Sequence, residues 1–516
     1  VPTGAVVIPA GADVHVTASL TAPSSCSSLT VNGTLTINAG SALTVSGTLT
    51  NNGSLNMLSS SGGQASLRVD TYTGNDANIQ LYLSPGYWHY ISSPTNPGLS
   101  SDDLAAGNDL ARFDEALPSV DPPTWQRGWV AWDGWSYLTG DYTGGYSGFS
   151  ALERGRGYNY WNESAYTFTF SGQLNTSDPS PSISFSGDPV WSGYNLLGNP
   201  YSCGIDLQYL LSTLWQAAPI FKSVYYTIND VSYTVSQDGT SVPSGASLSI
   251  PPMQGFFVKA TGGGNLSFST SARIHTSTPR YKGEQTSSIP LVRLSINENG
   301  KTDETVVRFN EKATAGLDVE FDAPKFIGTP GNPSIYTSMN GTDFTINGIP
   351  FPETSVDIPV VLNLLAGGNL KINALELQDL DNYKVFLKDK VTASSVDLRS
   401  ANEYSFSSEA GLVKDRFTLT VTNMTTGIED PVKPADAFNI YSGFDFINIQ
   451  PLSDEWDGLK GMVRIMDLSG KPVRYQDNTE FNKNSLVQIP APEKGGLYFV
   501  EIRSGLMKFV GKVVVK

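Results

Sequence analysis

Histidine and cysteine are scarce in this 516-residue chain: His15, His89 and His275 stand far apart, and Cys26 and Cys203 are the only cysteines. A closed zinc site takes about four nitrogen or sulfur ligands, so two thiolates cannot build one. No HExxH pair exists, so zincin chemistry has no ligand set. Charge is also thin, at 16% of residues against roughly 25% in an ordinary soluble domain. Basic residues are the scarcer sign, 33 against 49 acidic, for a net charge of −16. Such a field repels phosphate backbones and bare anionic lipid, which excludes nucleic acid as an expected partner. No apolar run reaches the roughly 20 residues of a membrane-spanning helix. The chain starts at Val1, without Met and without a basic-plus-apolar leader. That start suits a mature exported protein.

What the chain does contain is Ser, Thr, Asn, Gly and aromatic residues. Gly 50 and Pro 31 punctuate the backbone, and 23 Tyr, 23 Phe and 9 Trp supply core material. Residues 1–70 alternate apolar residues with Thr, Ser and Asn, the period of a half-buried strand. Leu29-Thr-Val31-Asn-Gly33-Thr-Leu35 is echoed fourteen residues later by Leu43-Thr-Val45-Ser-Gly47-Thr-Leu49. Gly and Asn at the breaks suit turns of positive φ. Two architectures fit: a small β-solenoid or a row of hairpins.

Residues 71–280 are rich in aromatics. Tyr166-Thr-Phe168-Thr-Phe170 reads as a strand with one aromatic face. Leu207, Leu210, Leu211, Leu214 and Trp215 fall at helical spacing, the one place where a helix is expected. Residues 276–290 are polar with two prolines and mark a boundary. Residues 281–428 then carry alternating runs, such as Leu291–Ile296 and Arg416–Val421, that read as a second antiparallel β-sandwich. Thr422–Ala437 reads as a linker. Residues 429–516 hold at least five strand-like runs, enough for one small sandwich. The expected fold is all-β: an N-terminal β-solenoid-like repeat, antiparallel β-sandwich domains, and a small C-terminal Ig-like β-sandwich.

Candidate chemistry is sparse. Gly145-Tyr-Ser147-Gly148 lacks nucleophile-elbow spacing, and Gly155-Arg-Gly157 lacks the third glycine of a phosphate loop. Asp133, Asp141 and Glu153 lie among aromatics and are the candidate carboxylates for glycoside hydrolysis. No cofactor is expected. Calcium is the one metal that acidic loops such as Asp102-Asp103 and Asp477-Asn478-Thr479-Glu480 could take, since hard cations bind carboxylate and carbonyl oxygens. A solvated acidic turn is the competing reading. Trp125, Trp129, Trp132, Trp135, Tyr137, Tyr142 and Tyr146 fall within 22 residues. Flat rings with a polar edge suit sugars or a protein partner, and they equally suit a sandwich core. Cys26 and Cys203 could pair in an oxidising compartment; the alternative is two separate small residues, with the one near the N-terminus exposed.

The C-terminal phrases are Gly461-Met-Val-Arg-Ile465-Met-Asp467-Leu468-Ser-Gly470-Lys-Pro-Val473, Leu486-Val-Gln-Ile489, Gly495-Gly496-Leu-Tyr498-Phe-Val500-Glu-Ile502, and Gly511-Lys512-Val-Val. In this order they resemble a type IX secretion sorting domain, a family of secreted and surface proteins of Bacteroidetes. Within it, Ile465 and Leu468 flank a turn closed by Gly470, and Gly495-Gly496 bend the chain into a strand whose Tyr498, Val500 and Ile502 share a core. Upstream, Trp88–Pro94, Gly155–Tyr158, Gly193–Tyr201, Pro252–Val258 and Asp415–Leu419 resemble phrases of large β-sandwich ectodomains from the same bacteria. The resemblance implies export by the type IX machinery and an address outside the cell or on its outer surface. Together with the repetitive N-terminal tract and low charge density, it points to a non-catalytic structural or cell-surface protein that associates with copies of itself, as a filament, sheath or surface-layer subunit. The alternative is a carbohydrate-binding adhesin using Trp125–Tyr146; a third reading is a polysaccharide hydrolase.

Overall fold

A computed structural model of the chain describes residues 4–96, 110–117, 128–135, 147–188, 192–276, 289–326, 331–424, 437–443, 445–483, 485–505 and 507–515. Strands make up 60% of it and helix 3%, so the chain is all-β. Two compact units separate at the junction of Asn423 and Met424.

The N-terminal tract is a parallel solenoid, not a row of hairpins. Strand Ala5–Ile8 pairs in parallel with Ser28–Val31, which pairs with the end of Ala42–Asn51, which pairs with the end of Ser66–Gly74. A second parallel face stacks Asp13–Val16, Thr34–Ile37, Ser54–Met57 and Ala77–Leu83. Ile8, Val31, Asn51 and Gly74 occupy one column, at offsets of 23, 20 and 23 residues. The fourteen-residue echo is therefore not the stacking period: Leu29 sits beside Leu49, and Leu43 beside Ser24. Every coil turns more than one corner, so like phrases recur on neighbouring faces of one coil. Stacking joins positions a whole turn apart. The corner glycines also answer to a different cause than turn φ. A Cβ on Gly53 would sit 2.0 Å from the Gly33 carbonyl oxygen, and one on Gly33 would sit 2.3 Å from that of Ala12. Coils approach backbone to backbone there, and only hydrogen fits between them.

The solenoid core runs on without a break. Antiparallel strand Tyr166–Leu174 pairs along Ala77–Leu83, bringing Phe168 and Phe170 into one cluster with Val31, Ile37, Leu49 and Ile79. The third solenoid side is strapped by a distant segment. Leu67 and Ser202 exchange hydrogen bonds, Arg273 donates to the Val69 carbonyl and pairs with Asp70, and His275 bridges the Thr44 and Ser66 hydroxyls at 2.9 and 2.7 Å.

The expected helix is present. Asp206 caps it by accepting from the Tyr209 N–H, Leu207–Tyr209 is α-helical, and Leu210–Leu214 continues as a π-turn. The buried Lys222 amine then donates to the Trp215, Ala218 and Ile220 carbonyls that follow. The nine-stranded sheet of Leu291–Asn423 departs from the all-antiparallel expectation at one place. Lys301–Phe309 and Thr342–Ile349 run parallel. Its longest strand, Ser355–Gln378, bulges near Gly367, where the Glu298 carboxylate accepts the N–H groups of Leu365, Ala366 and Gly367 at 2.6, 2.6 and 2.8 Å. That bonding holds the Glu298 carboxyl below its ordinary pKa.

The second unit is a sandwich of a three-stranded and a four-stranded sheet. Val463, Ile465, Phe481, Val500 and Ile502 fill its interior around Trp456.

Cys26 and Cys203 are not bonded to each other. Cys26 lies inside the solenoid beside Val45, and Cys203 lies in a separate cluster with Leu197, Ile205 and Phe256. Both are buried, so Cys26 is not the exposed residue its position suggested. Burial pushes the Cys203 thiol up to about 12, which withholds the thiolate that disulfide chemistry needs.

Candidate functional site

Strand Trp129–Ala131 pairs with Leu110–Phe113, which pairs with Tyr158–Asn162, and that strand pairs with Tyr87–Ile91. Alternation splits this small sheet cleanly. His89, Ile91, Tyr158 and Tyr160 are buried on the solenoid side. Tyr90, Ala111, Phe113 and Trp129 face the next sheet, formed by Tyr194–Gly198, Gly255–Ala260 and Ile220–Ile228. Trp129 meets Phe113 edge-on at 5.0 Å and Phe257 at 6.1 Å, and stacks with Tyr90 at 6.2 Å. Tyr194, Tyr225 and Phe326 extend the ring cluster. Trp129 is 9% exposed, so its ring is committed to packing and offers no face to a ligand. Trp132 is half-buried against the solenoid cluster, and Trp135 is the exposed member at 36%. Trp125, Tyr137, Tyr142 and Tyr146 lie outside the described residues.

Four of the five ectodomain-like phrases, scattered through the sequence, meet at one junction beside these rings; Asp415–Leu419 lies instead in the nine-stranded sheet, paired with Ile358 and Val360. The Ser92 hydroxyl donates to the Asn199 carbonyl at 2.7 Å, and the Asn199 amide donates to the Cys203, Ile250 and Pro251 carbonyls. Gln254 reaches the Tyr90 carbonyl at 3.1 Å and its own neighbour Gly255 at 2.9 Å. Close approach explains the glycines here. A Cβ on Gly198 would lie 2.2 Å from the Ser92 Cβ, and one on Gly157 would lie 2.4 Å from the Leu197 carbonyl oxygen. Sequence reasoning marked these phrases only by resemblance and passed over Ser92, Asn199 and Gln254. Asn199 between Gly198 and Pro200, and Gln254 before Gly255, are the sequence signals for two of the three.

The titratable groups are likewise bound into structure. His15 contacts Asp13 and Asn38 at the surface, and buried His89 contacts the Ser84 carbonyl at 2.9 Å. His275 is held near 4, mainly by burial and then by the Arg68 charge. Asp133 accepts from the Trp135 N–H, and Glu153 extends into solvent toward Arg156. Asp141, Asp102 and Asp103 lie outside the described residues. Asp477 accepts from the neighbouring Asn478 N–H at a bulge inside strand Pro472–Phe481, where Asn478 takes φ 54°. Among the described residues no three His, Cys, Asp or Glu side chains converge as metal ligands would. A buried carboxylate beside a half-buried amine does stand out. Glu115, 2% exposed, accepts from the Ser186 N–H and hydroxyl and the Gly193 N–H. Nearby, Lys259 lies 3.9 Å from the Tyr194 ring centre and donates to the Ser192 carbonyl. Burial lowers the Lys259 amine to about 8, against the pull of Glu115. Glu115 thus holds Ser186 and Gly193, and Lys259 holds Ser192.

The half-exposed aromatics are elsewhere. Trp88 and Trp161 are register partners at the open end of the small sheet, their rings 5.5 Å apart and tilted by 49°.

In the second unit, the Asp467 carboxylate accepts from the Ser469 N–H and hydroxyl and from the Lys471 N–H, and Gly470 closes that turn at φ 81°. These bonds hold the Asp467 carboxyl below its usual range. Leu468 projects from the turn, 69% exposed. Gly495 and Gly496 are exposed and lead into strand Gly496–Ser504, from which Tyr498, Val500 and Ile502 turn inward. Tyr498 also donates to the Lys494 carbonyl at 2.7 Å.

Residues 1–421 match the family model described as a domain of unknown function, DUF8693. No curated protein matches the chain. A solved structure titled "Biofilm associated protein - BSP domain" aligns over 85% of this chain and 92% of its own length, at 12% identity and a TM-score of 0.12. A score that low carries no argument. No helix among the described residues is long and apolar enough to cross a membrane. By the extent of its match, the chain belongs to the DUF8693 family.

Proposed function

We propose that this DUF8693 family member is a non-catalytic structural protein of the cell exterior, exported by type IX secretion through its C-terminal unit, and that it associates with copies of itself. The observation that carries the reading is the exposed parallel ladder of the solenoid. Strands Ala5–Ile8 and Asp13–Val16 pair on one side only among the described residues, and Val7 and Val14 are 61% and 38% exposed. A parallel ladder with unpaired backbone groups accepts another strand in register, and a contact between unlike surfaces propagates without closing. The exposed Asp467–Gly470 turn, with Leu468 at its tip, is the surface we assign to the export machinery.

Electron microscopy of the purified full chain tests assembly. Fibres or sheets that are lost on Val7→Lys substitution are expected. Dispersed monomers at every concentration and ionic strength would overturn the reading.

A second reading is favoured by the Trp88–Trp161 pair: carbohydrate binding by stacking on half-exposed rings. It moves the candidate surface away from Trp129. A glycan array with wild type, Trp88→Ala and Trp161→Ala decides it. Binding lost in both variants supports it, and binding indifferent to both removes it.

A further inference from the structure

Two outward columns run down the first face of the solenoid. Val7, Thr30, Thr50 and Thr73 are consecutive register partners in one column. Ala5 pairs with Ser28 and Thr48 with Thr71 in the other. Three successive coils thus present Ser28-x-Thr30, Thr48-x-Thr50 and Thr71-x-Thr73, while the residue between each pair (Leu29, Leu49, Tyr72) is buried. Neither column contains a charged residue.

Parallel strands space such rows about 4.8 Å apart, and two residues along a strand span about 6.6 Å. The result is a two-dimensional grid of hydroxyls and methyls. Within it Thr50 and Thr73 touch hydroxyl to hydroxyl at 3.4 Å. No side-chain hydrogen bond engages Ser28, Thr30, Thr48 or Thr71 among the described residues. The neighbouring face behaves differently. Its outward residues satisfy one another: Asn78 donates to Asn56, Ser171 donates to Asn78, and Gln80 accepts from the Ser59 N–H. On that face these outward side chains bond to one another, whereas on the grid the one side-chain bond among the described residues is that between Thr50 and Thr73.

A periodic, uncharged surface of alternating hydroxyl and methyl groups is complementary to a periodic, uncharged ligand. Methyl groups restrict the orientations of first-shell water, and hydroxyls anchor that water by hydrogen bonds of ordinary strength. A charged head would instead gather water radially and break the grid. No aromatic ring projects from either column, so stacking on sugar rings has no foothold here. We infer that the Ser28/Thr30, Thr48/Thr50, Thr71/Thr73 face binds crystalline water, holding the protein on ice through a lattice of ordered waters.

The test is slow ice growth from a dilute solution of the full-length protein, comparing its concentration in ice and in residual liquid with that of an inert reference protein. Wild type is expected to be enriched several-fold in the ice fraction. Thr48→Lys and Thr50→Lys are expected to return it to the reference level with an unchanged melting temperature. Thr169→Lys, beside Gln80 on the neighbouring sheet, should leave enrichment intact. If Thr50→Lys disturbs folding, Thr71→Lys at an exposed row serves in its place. Exclusion of the wild type from ice overturns the inference. So does retention on insoluble cellulose or chitin that the same variants abolish while ice partition is unmoved. A changed oligomeric state in Thr48→Lys with unchanged ice partition overturns it too, and would mark the face as a contact between copies. Assembly through strand edges uses backbone groups and not this grid of side chains, so either idea can fail alone.

Discussion

The solenoid and the aromatic junction solve one problem, burying a sheet face, by opposite means. The solenoid stacks short like coils, each adding an unbranched or branched aliphatic side chain to columns such as Val16, Ile37, Met57 and Ile79. Its tolerance is set at the corners, where backbones nearly touch. The junction joins two unlike sheets through large rings, with Trp129, Phe113, Phe257 and Tyr90 meeting at 5–6 Å. Its tolerance is set by volume. A repeat fails through one added atom, and a junction of rings through one removed side chain.

The largest expected effect breaks the solenoid side of that contrast. Gly53→Val forces a Cβ against the Gly33 carbonyl, and should cost about 4 kcal/mol or more in urea unfolding. Gly40→Ala, in open space but at φ 75°, should cost only about 1 kcal/mol. Equal losses for the two would show that turn strain governs the corners. Next is Trp129→Ala, which should destabilise by about 3–5 kcal/mol through cavity formation. Trp161→Ala, at the half-exposed end of the same small sheet, should cost about 1 kcal/mol or less.

A smaller effect sharpens the boundary between the two regions, where His275 straps Thr44 and Ser66. Its folded pKa of about 4 lies below the ordinary 6.5, so the fold favours the neutral ring. That stability is complete above pH 6.5 and is lost as pH falls from there through about 4. The partly shielded ring should contribute about 2 kcal/mol to the acid-side loss. Melting temperature followed from pH 7 to pH 4 should fall less steeply in His275→Gln. Parallel curves would show that another group carries the dependence.

Much of this was readable locally. The alternation of Leu29-Thr-Val31 shows which side chains turn inward, because inward and outward sites differ by one residue. Asp206 before the Leu207–Trp215 pattern marks the helix start, because a cap and its apolar face lie within one turn. The outward Thr-x-Thr rows are visible in the same alternation, but their registration across coils is not. The misleading signals were non-local. Nothing near Trp129 distinguishes a ring clamped by Phe257, more than a hundred residues away, from one facing solvent like Trp135. The fourteen-residue echo likewise does not give the stacking register, which joins Leu29 to Leu49.

By itself the sequence determined strand composition, the face each residue takes within a strand, and the polar, sparsely charged character of the chain. These follow from backbone pleating and side-chain chemistry over a few residues. Tertiary structure alone decided which strands became neighbours, which rings and thiols were buried, and where glycines meet a foreign backbone. Those outcomes depend on contacts between distant segments, whose free energy no single stretch of chain encodes.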